Sequence, residues 1–170
     1  VIDQFWELGL VRKPSDIFSI NFSKIKNLEG WGELSISNLK NAIDKSKIID
    51  LDRFIFSIGI RHIGQENAKI LAGFFNSVNQ FYELSNSKKR ENILNNLKDL
   101  NGIGSTQIKS IEIFFLNSKN IDVVKSLIEA LNIKNYQNLT KKGKFSKKNI
   151  MFTGGFEKIS RSEAKVLTED

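Results

Sequence analysis

The chain has 170 residues, with 26 Lys and Arg against 19 Asp and Glu and a formal charge of +7; that length suits one generous domain or two small ones, and the charge favours an anionic partner without naming it. With no cysteine and a single histidine, His62, the chain has neither a disulfide framework nor the ligands for a thiolate zinc site or a multi-histidine metal centre. No apolar run approaches the roughly 18 residues of a membrane span, and the opening Val-Ile-Asp-Gln-Phe-Trp-Glu lacks a signal peptide's basic flank and apolar core, so we expect a cytoplasmic protein with no membrane partner.

One proline and apolar residues at spacings of three and four predict a mostly helical chain. From the start, Phe5 to about residue 18 forms a loose hairpin around Gly9-Leu10-Val11. A clearer unit covers residues 25–43, in which Leu28, Gly30, Trp31 and Gly32 are followed by Ile36 and Leu39. A connector near Ser46–Asp52 carries Asp50 and Asp52, which read as helix caps rather than acid and base. The same frame returns over 54–75 as Ile60, His62, Ile63 and Gly64 with Ala68 and Leu71, and over 97–115 as Leu100, Gly102, Ile103 and Gly104 with Ile108 and Ile111. Helices are expected in the intervening stretch from Phe74 to Asn96 and over 121–133, where Ile121, Val124, Leu127, Ile128 and Leu131 keep helical spacing. A basic linker follows over 134–149, with Lys141, Lys142, Lys144, Lys147 and Lys148 read as a solvated run and incidental attraction to DNA as the alternative.

Three copies of one spacing, apolar-x-[Gly/His]-apolar-Gly, suggest two helices joined by a tight turn. The first glycine suits a positive φ, the apolar residue after it can plug the helix pair, and the second glycine opens the next helix. The N–H groups at such an opening, with the positive end of the helix dipole behind them, suit a phosphate. The DNA-contact candidates are therefore Gly30, Gly32, Gly64, Gly102, Gly104, Ser105 and Thr106. Arg61 is added because a guanidinium suits phosphate or a minor-groove edge, against a surface ion pair as the bland reading. Lys69 and Lys109, each five residues after a second glycine, are held equally as contacts or as solvated lysines. His62 is either a phosphate or sugar contact or a hairpin hydrogen bond. Trp31, Ile63 and Ile103 read as core plugs rather than stacking platforms, and no residue reads as catalytic.

These residues resemble helix-hairpin-helix DNA-binding motifs, and Phe54 to Ala72 resembles the third such motif of bacterial NAD-dependent DNA ligases. Leu28-Glu-Gly-Trp-Gly, Leu100-Asn-Gly-Ile-Gly and Gly9-Leu10-Val11 with Asp16 fit that family's order, and Ile150-Met-Phe-Thr-Gly-Gly-Phe followed by Ser160-Arg-Ser-Glu-Ala-Lys is similar to the opening of its BRCT domain. The resemblance implies an all-α fold, with tandem helix-hairpin-helix motifs paired into two compact units over 1–133 and an incomplete BRCT β/α tail over 150–170. It implies nicked double-stranded DNA and the remaining ligase domains in cis as partners, a monomer, and a bacterial, nucleoid-associated location. The family's Lys-x-Asp-Gly motif and four-cysteine zinc finger have no match here, so we expect a non-catalytic fragment. No cofactor is expected in it, while NAD, Mg and Zn are implied for the full-length ligase. A repair-nuclease module and a purely structural or protein-interaction helical domain are the rival readings.

Overall fold

A computed structural model describes residues 1–26, 28, 30–137, 151 and 160. Residues 1–136 form one compact unit and 137–170 a second; apart from Lys134 to Gln137, Met151 and Ser160, the expected linker and BRCT-like tail lie outside the described residues.

Within the first unit, helix α1 (Ile2–Glu7) is followed by two 3-10 turns, Pro14–Ser19 and Phe22–Lys24, and then by α2 (Glu33–Ser46). Strand β1 (Ile48–Asp50) leads into α3 (Leu51–Ser57), α4 (Gln65–Phe75), α5 (Val78–Tyr82), a 3-10 turn at Glu83–Ser85, and α6 (Ser87–Leu97). Helices α7 (Ser105–Leu116) and α8 (Ser118–Ala130) precede β2 (Asn132–Lys134). The mostly helical reading holds, and the motifs pair as expected: Phe5, Val11, Ile20, Ile25 and Ile43 form one buried cluster, while residues from Leu51 to Val124 form the other, larger one.

Periodicity explains the larger core. Ala68, Leu71, Ala72 and Phe75 line the buried side of α4, Ile111 and Phe115 that of α7, and Val124 that of α8, each at helical spacing. A run of edge-to-face rings crosses between them, with Phe75 to Phe81 at 5.3 Å and Phe81 to Phe115 at 5.5 Å, so α5 joins the third hairpin to the fourth through aromatic contacts.

Three details depart from the sequence reading. The stretches flanking the first two hairpins include 3-10 turns, Pro14–Ser19 and Phe22–Lys24, where α-helix was expected; short 3-10 pieces are common as connectors. The expected connector at 46–52 contains β1, and the expected helix over 121–133 stops at Ala130 so that its last residues enter β2. The two strands pair in parallel, Ile48 with Asn132, Ile49 with Ile133 and Asp50 with Lys134, as suits β-branched residues. Lys134, placed in the linker by its charge, is therefore a sheet residue. Finally, Asp50 occupies the cap position of α3 but its side chain makes no capping hydrogen bond, and Asp52 lies inside the first turn.

Candidate nucleic-acid interface

Each of the three repeat hairpins is built on the same backbone device. Gly30, His62 and Gly102 all have positive φ, at 83°, 62° and 90°. The plug residue after each donates its N–H to the carbonyl three residues back: Trp31 to Leu28 at 3.1 Å, Ile63 to Ile60 at 3.1 Å and Ile103 to Leu100 at 3.2 Å. Left-handed backbone at the third position of such a turn is the type II pattern, which favours glycine. Ile63 and Ile103 are buried. Trp31 is half-buried, stacked on Phe5 at 5.3 Å, with its indole N–H donated to Gln4 Oε1 at 2.9 Å. All three are therefore packing plugs.

The first hairpin differs. Gly9, at φ 67°, caps α1: Leu10 N–H reaches Phe5 O at 2.8 Å and Gly9 N–H reaches Trp6 O at 3.0 Å, the paired bonds of a Schellman cap. The chain then turns back on Asp16, whose Oδ2 accepts the N–H groups of Arg12 at 2.9 Å and Lys13 at 3.0 Å. The Arg12 amide bond holds this carboxyl below its ordinary range, with partial burial opposing it and Lys13 adding to it.

The second glycines stand just before their helices, as N-caps with extended backbone: Gly32 before α2, Gly64 before α4 and Gly104 before α7. None can supply a side-chain cap, so the N–H groups of residues 33–35, 65–67 and 105–107 have no protein acceptor among the described residues. The other long helices, and the short α5, are finished differently. Ser77, Asn86 and Asn117 cap α5, α6 and α8 with side-chain oxygens. A Cβ added at Gly32 or Gly64 would meet nothing within 4 Å. Neither conformation nor internal packing calls for glycine there, and the space in front of these helix ends is open.

The predicted contact residues are all exposed. Arg61 makes no ion pair among the described residues, whereas Lys69 lies 3.7 Å from Glu66. His62 makes no side-chain hydrogen bond within its hairpin among the described residues, which leaves the internal-bond reading without a partner. The helix α7 opening faces a groove of about 470 Å³ lined by Ile103, Gly104, Ser105 and Ile108, with Lys98 and Lys109 as its cations and Glu112 as its one carboxylate. Lys98 was not picked out from the sequence, because it lies before the glycine frame rather than after it.

The structure brings the third and fourth hairpins together and leaves the second with the smaller core. Asn67 Nδ2 donates to Gly102 O at 2.8 Å, and a Cβ at Gly102 would come within 2.5 Å of Ile70 Cδ1, so the fourth hairpin lies directly on α4. Among the described residues no three His, Cys, Asp or Glu side chains group as a metal site, and no helix is long and apolar enough to cross a membrane.

Residues 53–124 match the helix-hairpin-helix motif family. Over 169 residues, 99% of its length, the chain is 47% identical to the DNA ligase of Pelagibacter ubique (strain HTCC1062). It is 38% identical over 169 residues to the DNA ligase of Rickettsia bellii (strain OSU 85-389) and 40% identical over 170 residues to that of Rickettsia rickettsii (strain Sheila Smith), covering 95% of the chain in each case. The chain spans 24% of the length of each of these relatives.

Proposed function

We infer that this chain, homologous along nearly its whole length to one segment of the DNA ligases, is the part of such an enzyme that grips duplex DNA without reading its sequence. The observation that carries this reading is the contrast in caps. Helices α5, α6 and α8 are closed by their own Ser or Asn side chains, and α1 and α3 start on Val1 and Asp50 without a side-chain bond, while the three that follow repeat hairpins are the ones that open on glycine, with free N–H groups and no side chain in front of them. Free amides at a helix start attract phosphate oxygens, and phosphate contacts fix register while carrying little sequence information.

Arg61, Lys69 and Lys109 add charge beside the hairpins, and His62, Ser105 and Thr106 add side-chain donors. The hairpins would lie along the minor groove on both sides of a nick. A hydrogen bond to a charged group is worth roughly 1.5–3 kcal/mol, so a few hairpins alone give binding near the nonspecific range, about 10⁻⁴ to 10⁻⁶ M. The segment then acts by adding to the grip of the other ligase domains through effective concentration.

The whole enzyme would be an NAD-dependent DNA ligase that seals nicks in replication and repair, in the cytoplasm of a bacterium and at its nucleoid, with this segment monomeric and non-catalytic. The residues here do not fit that enzyme's Mg or Zn: the chain has no cysteine and one histidine, and among the described residues no three His, Cys, Asp or Glu side chains group. Those groups would be held elsewhere in the enzyme.

Gly64→Val tests the reading. The backbone at Gly64 is extended and its Cβ position open, so the variant should keep its helical circular dichroism. Its affinity for a nicked duplex, followed by fluorescence anisotropy, should fall at least fivefold. Undiminished affinity in a folded Gly64→Val protein rules the hairpin–phosphate reading out.

A further inference from the structure

We propose that Asn67 is a positioning residue that fastens the third and fourth hairpins into a single two-pronged phosphate clamp; this rests on the hairpin–phosphate reading above. Asn67 stands at the third position of α4, half-buried, and its amide has two partners on two different hairpins. Oδ1 faces the N–H of Gly64 at 3.4 Å, and Nδ2 donates to the carbonyl of Gly102 at 2.8 Å. One side chain thus touches the cap of one phosphate-facing helix and the left-handed turn that sets up the other.

The fourth hairpin has no matching device of its own. Gln107 stands at the equivalent position of α7, but its Oε1 folds back to accept the N–H of Gly104 at 3.1 Å, and among the described residues it makes no hydrogen bond to the third hairpin. Ile70, one turn beyond Asn67 on α4, supplies the apolar half of the contact by meeting the bare Cα face of Gly102. The shared core, with its Phe75–Phe81–Phe115 run, holds α4 and α7 together, and at the hairpin end itself the Asn67 bond and the Ile70–Gly102 contact join the two uncapped helix starts directly. Residues that hold two phosphate-binding ends at fixed spacing act as one ligand rather than two, and lose that gain when the spacing is free.

The test is a double-mutant cycle on the full 170-residue chain, with Asn67→Ala, Gly104→Val and their combination, each titrated with nicked duplex DNA. Asn67→Ala alone should weaken binding roughly threefold to tenfold, the range of one hydrogen bond. In the Gly104→Val background, where the second prong is already lost, the same change should have little effect. An equal loss in both backgrounds would mean that Asn67 acts on DNA by itself, and no loss in the parent would mean that it positions nothing; either result overturns the proposal. Undiminished binding by Gly104→Val would bring down the hairpin reading itself, and the clamp with it. The amide resonance of Ile103, whose peptide carbonyl is that of Gly102, gives a second check that needs no DNA: it should shift in Asn67→Ala, and an unmoved resonance means that the bond to Gly102 does not exist in solution.

Discussion

His62 occupies the turn position that its sister hairpins give to Gly30 and Gly102, at φ 62°. An L-residue in left-handed backbone costs about 1–2 kcal/mol, partly offset by the entropy that glycine would lose on folding. No side-chain hydrogen bond within its own hairpin among the described residues offsets this; under the proposed function the imidazole would make its bond to the DNA. His62→Gly should therefore raise unfolding free energy by about 0.5–1 kcal/mol in urea denaturation, while weakening binding to nicked duplex roughly threefold to tenfold, as for one lost hydrogen bond. A stabilised variant with unchanged affinity would return His62 to a neutral role. This position shows how much a short spacing can disclose. The left-handed turn was legible at Gly30, His62 and Gly102 because it is a local demand on three adjacent residues. Asn67 was not, because its partner lies 35 residues further along the chain and an asparagine near a helix start has an ordinary local explanation.

At the scale of elements, the glycine openings of α2, α4 and α7 forgo a stabilisation that Ser77, Asn86 and Asn117 provide elsewhere. Supplying it should divide stability from binding. Gly64→Asp can cap α4 and place an anion at the positive end of its dipole, raising stability by about 0.5 kcal/mol. The same carboxylate would occupy and repel the phosphate position, so affinity should fall more than tenfold; a thermal melt and an anisotropy titration on one preparation read both effects. A variant that gains stability and still binds fully would show that the opening of α4 does not face DNA. The helices themselves were readable from the three-and-four spacing in α4, α7 and α8, since each buries one stripe. The sheet was not, because three-residue strands carry no period of their own and β1 finds its partner only after the whole double hairpin has been traversed. The 3-10 turns escaped for a related reason: pieces of three to six residues are too short to show a period that separates them from α-helix.

For the whole molecule, charge and contact separate. Residues 1–133 carry 17 basic and 15 acidic side chains, and residues 134–170 carry 9 and 4, so the part with the hairpins is nearly neutral. Binding by neutral amides and a few cations should depend weakly on salt. With Arg61, Lys69 and Lys109 as the charged contacts, the slope of log affinity against log salt should be about −3, and Arg61→Ala should reduce its magnitude by about 0.9. A slope near −7 that collapses when Lys141, Lys142, Lys144, Lys147 and Lys148 are changed to Gln would instead give the grip to the basic run. The net charge of +7 thus agrees with the anionic partner proposed above, while most of its excess lies outside the hairpins.

The small parallel ladder between Ile48–Asp50 and Asn132–Lys134 also has a mechanical meaning. The chain enters the double hairpin along one strand and leaves it along a neighbour running the same way. Tension transmitted through the backbone from one side to the other pulls the two strands lengthwise past each other, and their hydrogen bonds share the load in shear instead of parting one after another like a zip. The two hairpins between them are shielded from that force.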